Sequence, residues 1–162
     1  MKYLPIYLND HYAGSTAGVE LAKRAAKSSR GDAEFGPPLT ALASEIDEDR
    51  DALKRIMDRL SVSEDRVKAT LFSLGEKVGR LKPNGHLLQR SPLSRVVELE
   101  GLITGVSGKL SLWRTLLELA ERDERLDAGE LEVLAGRAED QLLRLHALRG
   151  AAGLIAFVDD IA

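Results

Sequence analysis

Apolar residues recur every three or four positions along most of the chain, and this period constrains the fold more than any other feature of the sequence. Only an α-helix places positions three and four apart on one face, so each periodic segment is predicted to be an amphipathic helix. Runs in which apolar and polar residues alternate, which would indicate half-buried strands, are missing from the sequence. The sequence therefore predicts an all-α fold.

Segments rich in Gly, Pro or Ser divide the chain into five predicted helices. They cover roughly residues 4–29, 38–60, 64–81, 92–122 and 128 to the end. Ser91 and Asp127 are the predicted N-cap residues of the fourth and fifth helices, because a short polar side chain there accepts a hydrogen bond from the first turn. Pro92 at the first helical position supports the predicted start of the fourth helix. Glu130 completes a capping-box pattern at the start of the fifth helix.

The helix lengths predict a topology. The first, second, fourth and fifth helices each span about 22–31 residues, or about 33–46 Å, whereas the third has only about 18 residues. If the third helix folds back after the second, the second and fourth helices become parallel. We therefore predict a ferritin-like four-helix bundle with one extra crossover helix between the second and third bundle helices, in a single domain of residues 1–162.

Composition limits the classes of partner. The 23 Lys and Arg residues nearly balance the 26 Asp and Glu residues, and aromatic residues make up 4% of the chain, so we expect no nucleic-acid partner. No apolar run approaches the roughly 20 residues needed to span a membrane, so we expect no membrane partner either. The chain has no cysteine, which excludes thiolate metal sites and thiol catalysis and is compatible with the cytoplasmic location that we expect.

Three segments carry a family resemblance: Tyr7 to Ala26, Glu45 to Leu60 and Gly79 to Leu116. In these segments the chain resembles a group of uncharacterised bacterial ferritin-like helical-bundle proteins. The resemblance implies the same bundle fold but no particular activity. Because the wider ferritin-like class often holds two metal ions, it also raises the question of a di-iron or di-manganese site.

A di-metal carboxylate site needs a Glu on each of two helices and a Glu-x-x-His on each of the other two. The candidate metal ligands are Glu20, Glu45, Glu48, Glu100 and Glu139. Glu48 occupies the position where a histidine would follow Glu45, and a leucine follows Glu139 at the same spacing, so neither Glu-x-x-His is present. We therefore expect no bound cofactor, and only an all-carboxylate site remains as an alternative.

Polar residues also interrupt the apolar stripes and are candidates for a buried polar cluster. Asp49, Glu100 and Lys109 each lie between two apolar positions of one predicted helix face, and His11 falls on the inner face of the first helix. A buried charge is costly unless it is paired, so the two acids are expected to meet cations or hydrogen-bond donors. Such a cluster would either hold the helices in register or form a polar pocket for a small anion or a metal ion.

Glycines recur on one face of two predicted helices, at Gly14 and Gly18 in the first and at Gly101, Gly105 and Gly108 in the fourth. Each glycine costs a helix about 1 kcal/mol relative to alanine, so the row needs a packing reason. Close approach of these two helices would supply one, and contact with the same helix of a second subunit is the alternative.

Two functional hypotheses follow. The first is a non-catalytic structural or interaction protein that self-associates, without catalytic residues and without a complete di-metal site. The alternative is a divergent metal-binding ferritin-like protein that handles iron, manganese or oxygen species. The missing histidine pair and the wide apolar faces of the long helices favour the first, in which the protein is not an enzyme.

Overall fold

The computed structural model describes residues 2–64, 91–158 and 161. Within these ranges the chain forms four α-helices and no strand, which confirms the all-α prediction for this part of the protein. The helices are α1 (Leu4–Ser28), α2 (Gly36–Arg59), α3 (Pro92–Ala120) and α4 (Ala128–Phe157). Residues 65–81 of the third predicted helix lie outside the described ranges, so α3 and α4 correspond to the fourth and fifth predicted helices.

Local side-chain signals start the last two helices. The Ser91 hydroxyl accepts a hydrogen bond from the backbone N–H of Ser94 at 3.3 Å, and the Asp127 carboxylate accepts one from the backbone N–H of Glu130 at 3.0 Å. Both predicted N-caps are confirmed. The Glu130 carboxylate also pairs with Arg59, which ties the start of α4 to the end of α2.

Polar contacts between helices establish two antiparallel pairs. α1 is antiparallel to α2, and α3 is antiparallel to α4. The contacts that define these directions are Lys23–Asp47 and Asn9–Ser63 in the first pair, and Arg114–Glu139 and Arg149–Glu100 in the second. Each pair is joined by a short connection of about seven residues, as is common for neighbouring helices in a bundle.

α2 and α3 run parallel to each other. Arg95 near the start of α3 pairs at 2.8 Å with Asp32, which lies just before α2, while Lys109 farther along α3 pairs with Asp49 farther along α2. The end of α2 and the start of α3 therefore lie at opposite ends of the bundle. This is the relative direction that the helix lengths predict.

The apolar faces of the four helices meet in one core. Its largest fully buried side chains include Trp113, Phe35, Leu8, Leu39, Leu42 and Leu53. Leu93 and Ile155 continue the apolar period but are each half exposed, because they lie in the terminal turns of α3 and α4 at the edge of the core. Among the described helices, none is both long and apolar enough to cross a membrane.

Candidate functional site

A buried carboxylate lies at the centre of the polar site. Asp49 occupies the inner face of α2 between Ile46 and Leu53, and it is 1% exposed. The ammonium of Lys109, on α3, donates a hydrogen bond to the Asp49 carboxylate. The structure thus brings together two of the four residues proposed for a buried polar cluster, and it pairs the acid of one apolar stripe with the cation of another.

α4 supplies the other partners of this pair. Gln141 is fully buried; its amide oxygen accepts a hydrogen bond from Lys109 at 2.6 Å, and its amide nitrogen donates one to Asp49 at 3.1 Å. The guanidinium of Arg137, one turn earlier on α4, lies 2.5 Å from the second oxygen of Asp49. Three helices therefore meet through one set of polar contacts, since Asp49 comes from α2, Lys109 from α3 and the other two from α4.

A second ion pair extends the network along α2 and α4. The guanidinium of Arg144 donates two hydrogen bonds to the Glu45 carboxylate, and Gln141 donates a third at 3.2 Å. The hydrogen bonds from Arg144 lower the pKa of Glu45, an effect that partial burial opposes and that the bond from Gln141 reinforces. Glu45 is thereby held in its ionised form between the two helices.

Lys109 is the most deeply buried cation of this network that the structure describes. Its side chain is 12% exposed, and removal from water lowers its pKa, while the Asp49 carboxylate raises it in partial compensation. An ammonium group has three N–H donors. Within the part of the chain that the structure describes, two of them are used, on Asp49 and Gln141.

Sequence reasoning missed Arg137, Gln141 and Arg144. Their spacing of four and three residues places them on one face of α4. That face also carries the buried Leu134 and Leu145, a signal that would have marked the three polar residues as inward-facing.

The prediction that Glu100 belongs to the buried cluster is wrong, because Glu100 lies on the surface. It is exposed and pairs with Arg149 at 2.9 Å. The buried positions of this part of α3 are Val96, Leu99 and Leu102, so the inner face is rotated away from Glu100. Only Asp49 and Lys109 of the proposed cluster therefore touch.

The candidate metal ligands do not converge. Glu20 is exposed on α1. Each of the other four pairs with a different arginine: Glu45 with Arg144, Glu48 with Arg137, Glu100 with Arg149 and Glu139 with Arg114. Over residues 2–64 and 91–158, no group of three or more His, Asp or Glu side chains is placed to hold a metal ion. The described residues therefore do not fit a di-metal centre.

His11, the remaining cluster candidate, lies half buried on α1. Its ring meets that of Tyr7 edge-on, with 4.5 Å between the ring centroids, and burial lowers its pKa. It faces the same cavity as Asp49 and Lys109. Of the other histidines, His146 is exposed on α4, and His86 lies outside the described residues.

This cavity, the α1–α3 cleft, has a volume of about 480 Å³ and lies between α1, α2 and α3. Its walls include all five glycines of the predicted row, together with apolar side chains and the polar residues Asp49, Lys109, His11 and Trp113. Of the five glycines, Gly101 alone packs closely against α1: a Cβ there would lie 3.0 Å from Leu21 Cδ2. At the other four glycines a Cβ would meet no described heavy atom within 4 Å, so these glycines leave open space instead of permitting a tight contact.

Trp113 adds a polar feature to the wall of the cleft. Its side chain is fully buried, and its indole N–H has no hydrogen-bond partner among residues 2–64 and 91–158. Trp113 and Lys109 are four residues apart on α3, so they share one helix face.

Comparison of the chain with protein-family models, with curated proteins and with solved structures gave no match. The resemblance to bacterial ferritin-like proteins therefore stays a prediction, and the site is interpreted from its own geometry.

Proposed function

We propose that this chain is a non-catalytic helical-bundle protein that acts through protein contact, first of all with a second copy of itself. The observation that carries the proposal is an exposed apolar surface, the terminal patch, at one end of the bundle. Its members come from the start of α3 and the end of α4: Leu93, Val97, Leu154, Ile155, Phe157 and Val158. They lie at the same end because α3 and α4 are antiparallel.

Exposure of these side chains supports an interface. Leu154 is 73% exposed and Leu93 is 50% exposed, although both are large and apolar. Single exposed apolar residues are ordinary, but several at one site mark contact surfaces more often than free surface. Association that removes them from water would contribute about 25 cal/mol for each Å² of apolar area buried.

The pairing of the interior charges supports a non-catalytic role. The interior charges Asp49, Lys109, Glu45 and Arg144 all have polar partners, and Gln141 and Arg137 of α4 are among them. An interior network of this kind is well suited to fixing helix register, which is the best-attested use of buried ion pairs. The candidate carboxylates lie apart from one another, so the alternative of a metal-binding protein has no comparable support.

We also propose that the complete fold is ferritin-like, with a crossover helix between α2 and α3. The parallel direction of α2 and α3 supports this topology, because a bundle with one long crossover connection requires one such parallel pair.

Sedimentation-velocity ultracentrifugation of the full chain over a range of concentrations tests the proposed self-association. We expect wild-type protein to form a dimer or larger assembly, and Leu154→Arg to weaken that association at least about tenfold. Val133→Arg is the matched control, because Val133 is 70% exposed on the same helix but lies about 32 Å away along α4. A wild-type protein that stays monomeric, or equal effects of the two variants, would contradict the proposal.

A further inference from the structure

We propose that the outward face of α4 binds the same face of a second copy of this chain, with the two helices antiparallel about a twofold axis between Ala147 and Gly150. This inference rests on the proposed self-association and deepens it, because it names the helix and the orientation through which two copies meet. It is carried by a row of exposed residues, the α4 seam, which consists of Leu143, Ala147, Gly150 and Leu154.

The α4 seam lies opposite the buried face of its helix. The core-facing residues Ala138, Leu145 and Ala152 recur every seven positions, and each is exposed by 1% or less. The seam residues follow one another at spacings of four, three and four, so they share a face of their own. Leu143 is 72% exposed and Leu154 is 73% exposed. α4 therefore carries a second apolar stripe, which the core of its own bundle does not use.

This second stripe belongs to the later half of α4. Exposed residues of the earlier half include the acidic Glu132, Glu139 and Asp140, whereas only three of residues 142–158 have polar side chains. A helix that is apolar on all sides is normally buried on all sides. The outward face of this half of α4 therefore calls for an apolar partner surface.

The order of side-chain sizes along the seam points to a second copy as that partner. The order is large, small, small, large, which reads the same in both directions. A twofold contact places one surface patch against the same patch of the other subunit, so it requires a pattern of this kind. About the proposed axis, Leu143 meets the partner's Leu154, and Ala147 meets the partner's Gly150.

The same order suits the geometry of two crossing helices. Small residues at the crossing point allow the helix axes to approach to about 8 Å, the lower end of the usual range. The axes diverge on either side of this point, and the larger Leu143 and Leu154 fill the wider space there.

The charges beside the seam favour an apolar, self-matching partner over an acidic one. Arg144 pairs with Glu45 and Arg149 pairs with Glu100, all within one chain. Neither arginine therefore needs an acidic group from a partner, and the pairing of two copies brings no unpaired arginine into the contact. The seam also continues the terminal patch, since Leu154 belongs to both.

Disulfide cross-linking of the full chain tests the orientation. The chain has no cysteine, so each introduced thiol reports on a single position. Leu143→Cys and Leu154→Cys are oxidised with copper phenanthroline, separately and as a mixture, at concentrations at which sedimentation velocity shows association. A disulfide needs Cα atoms within about 7 Å, whereas identical residues of the two copies would lie about 16 Å apart along the helices. We expect the mixture to give at least about ten times more linked dimer than either variant alone, with position 143 joined to position 154.

A charged substitution tests whether the contact runs along α4. Leu143 lies outside the terminal patch and about 8 Å along α4 from the proposed axis, so Leu143→Arg should weaken association at least about tenfold. Val133→Arg is the matched control, because Val133 is 70% exposed on the same helix but lies about 23 Å from the axis. Sedimentation velocity should show no change for this control.

Three outcomes would contradict the inference, and they are distinguishable. If Leu143→Cys alone forms the linked dimer, the two helices pair in parallel. If wild-type protein associates while Leu143→Arg and Val133→Arg behave alike and no cross-link forms, the copies meet through the terminal patch without the seam, and the proposed self-association stands. A wild-type protein that stays monomeric would overturn both proposals.

Discussion

The ammonium of Lys109 on α3 is hydrogen-bonded to the carboxylate of Asp49 on α2, across a separation of 60 positions in the chain. The two helices run parallel and come from different antiparallel pairs, so this contact joins the two halves of the bundle. Gln141 bonds to both partners from α4. The pair is thus placed to determine how α2, α3 and α4 align.

Lys109→Met should destabilise the protein strongly. The substitution removes the cation from a carboxylate whose side chain is 0% exposed, and breaking a buried pair on one side typically costs about 3–5 kcal/mol. Urea unfolding followed by circular dichroism measures this change. Arg114→Met is the control, because Arg114 and Glu139 form an exposed pair whose loss should cost less than about 1 kcal/mol.

A double variant separates the pair's contribution from the cost of leaving one charge alone. Lys109→Met combined with Asp49→Leu replaces both partners by apolar groups, so it should recover a substantial part of the stability lost in Lys109→Met. If the double variant is less stable than Lys109→Met, the carboxylate contributes through Arg137 and Gln141 more than through Lys109.

Glu45→Gln should change how the free energy of unfolding depends on pH under acid conditions. Hydrogen bonds from Arg144 hold the folded-state pKa of Glu45 below its usual value of 4.5. The ionised group therefore stabilises the fold fully above pH 4.5, and this contribution is lost as the pH falls through the folded-state pKa. We expect Glu45→Gln to be less stable than wild type at neutral pH, with a difference that narrows under acid conditions.

Urea unfolding at a series of pH values measures this difference. Glu139→Gln is the comparison, since the Glu139 side chain is 53% exposed in its pair with Arg114 and should show a smaller effect. A gap between wild type and Glu45→Gln that stays constant with pH would mean that packing, and not charge, accounts for it.

Local and periodic features of this chain could be predicted from its sequence. The Ser91 and Asp127 caps depend on hydrogen bonds to residues only three positions away, so their effect is contained in a short stretch of sequence. Asp49 and Lys109 could be identified as polar positions within apolar stripes because the helical period alone assigns a face. The same period fails for Glu100, since the buried face of α3 at this level is formed by Val96, Leu99 and Leu102.

The partners of the site could not be predicted in the same way. Arg137 and Gln141 reach Asp49 from 88 and 92 positions away, a pairing set by the relative height of α2 and α4 in the bundle. No local sequence pattern determines the height of α4 relative to α2 in the bundle. The cleft could not be predicted for a related reason: the glycine spacing indicates contact with another helix of the chain or of a second subunit, whereas a Cβ at Gly14 or Gly105 would meet no described heavy atom within 4 Å.

Gly36→Ala should destabilise the connection between α1 and α2. A Cβ at this position would lie 2.6 Å from the carbonyl oxygen of Ser29, and because that atom belongs to the backbone, the chain itself would have to move. Overpacking of this kind costs about 1–3 kcal/mol. Gly14→Ala is the matched control: it meets open space among the described residues and should gain up to about 1 kcal/mol from helix propensity.

Thermal unfolding of the two variants measures both effects. The midpoint should fall for Gly36→Ala and should rise or stay unchanged for Gly14→Ala. Equal shifts would mean that intrinsic helix propensity, and not the contact with Ser29, governs the response at Gly36.

Ser61→Gly should stabilise the end of α2. Ser61 has a φ of 57°, a left-handed conformation that side chains disfavour by about 1–2 kcal/mol and that glycine adopts readily. The surrounding hydrogen bonds form a Schellman motif: the N–H of Ser61 donates to the carbonyl of Asp58 at 3.0 Å, and that of Val62 donates to the carbonyl of Met57 at 2.9 Å. Glycine is the preferred residue at this position of the motif, so Ser61→Gly should raise the free energy of unfolding by about 1 kcal/mol.

The same chemical change at Ser44 provides the control with the opposite sign. Ser44 is exposed within α2, where glycine lowers helix propensity, so Ser44→Gly should destabilise the protein by about 0.5 kcal/mol. Urea unfolding of both variants tests the pair of predictions. A loss of stability in Ser61→Gly would mean that the serine side chain makes a favourable contribution there that exceeds the cost of its backbone conformation.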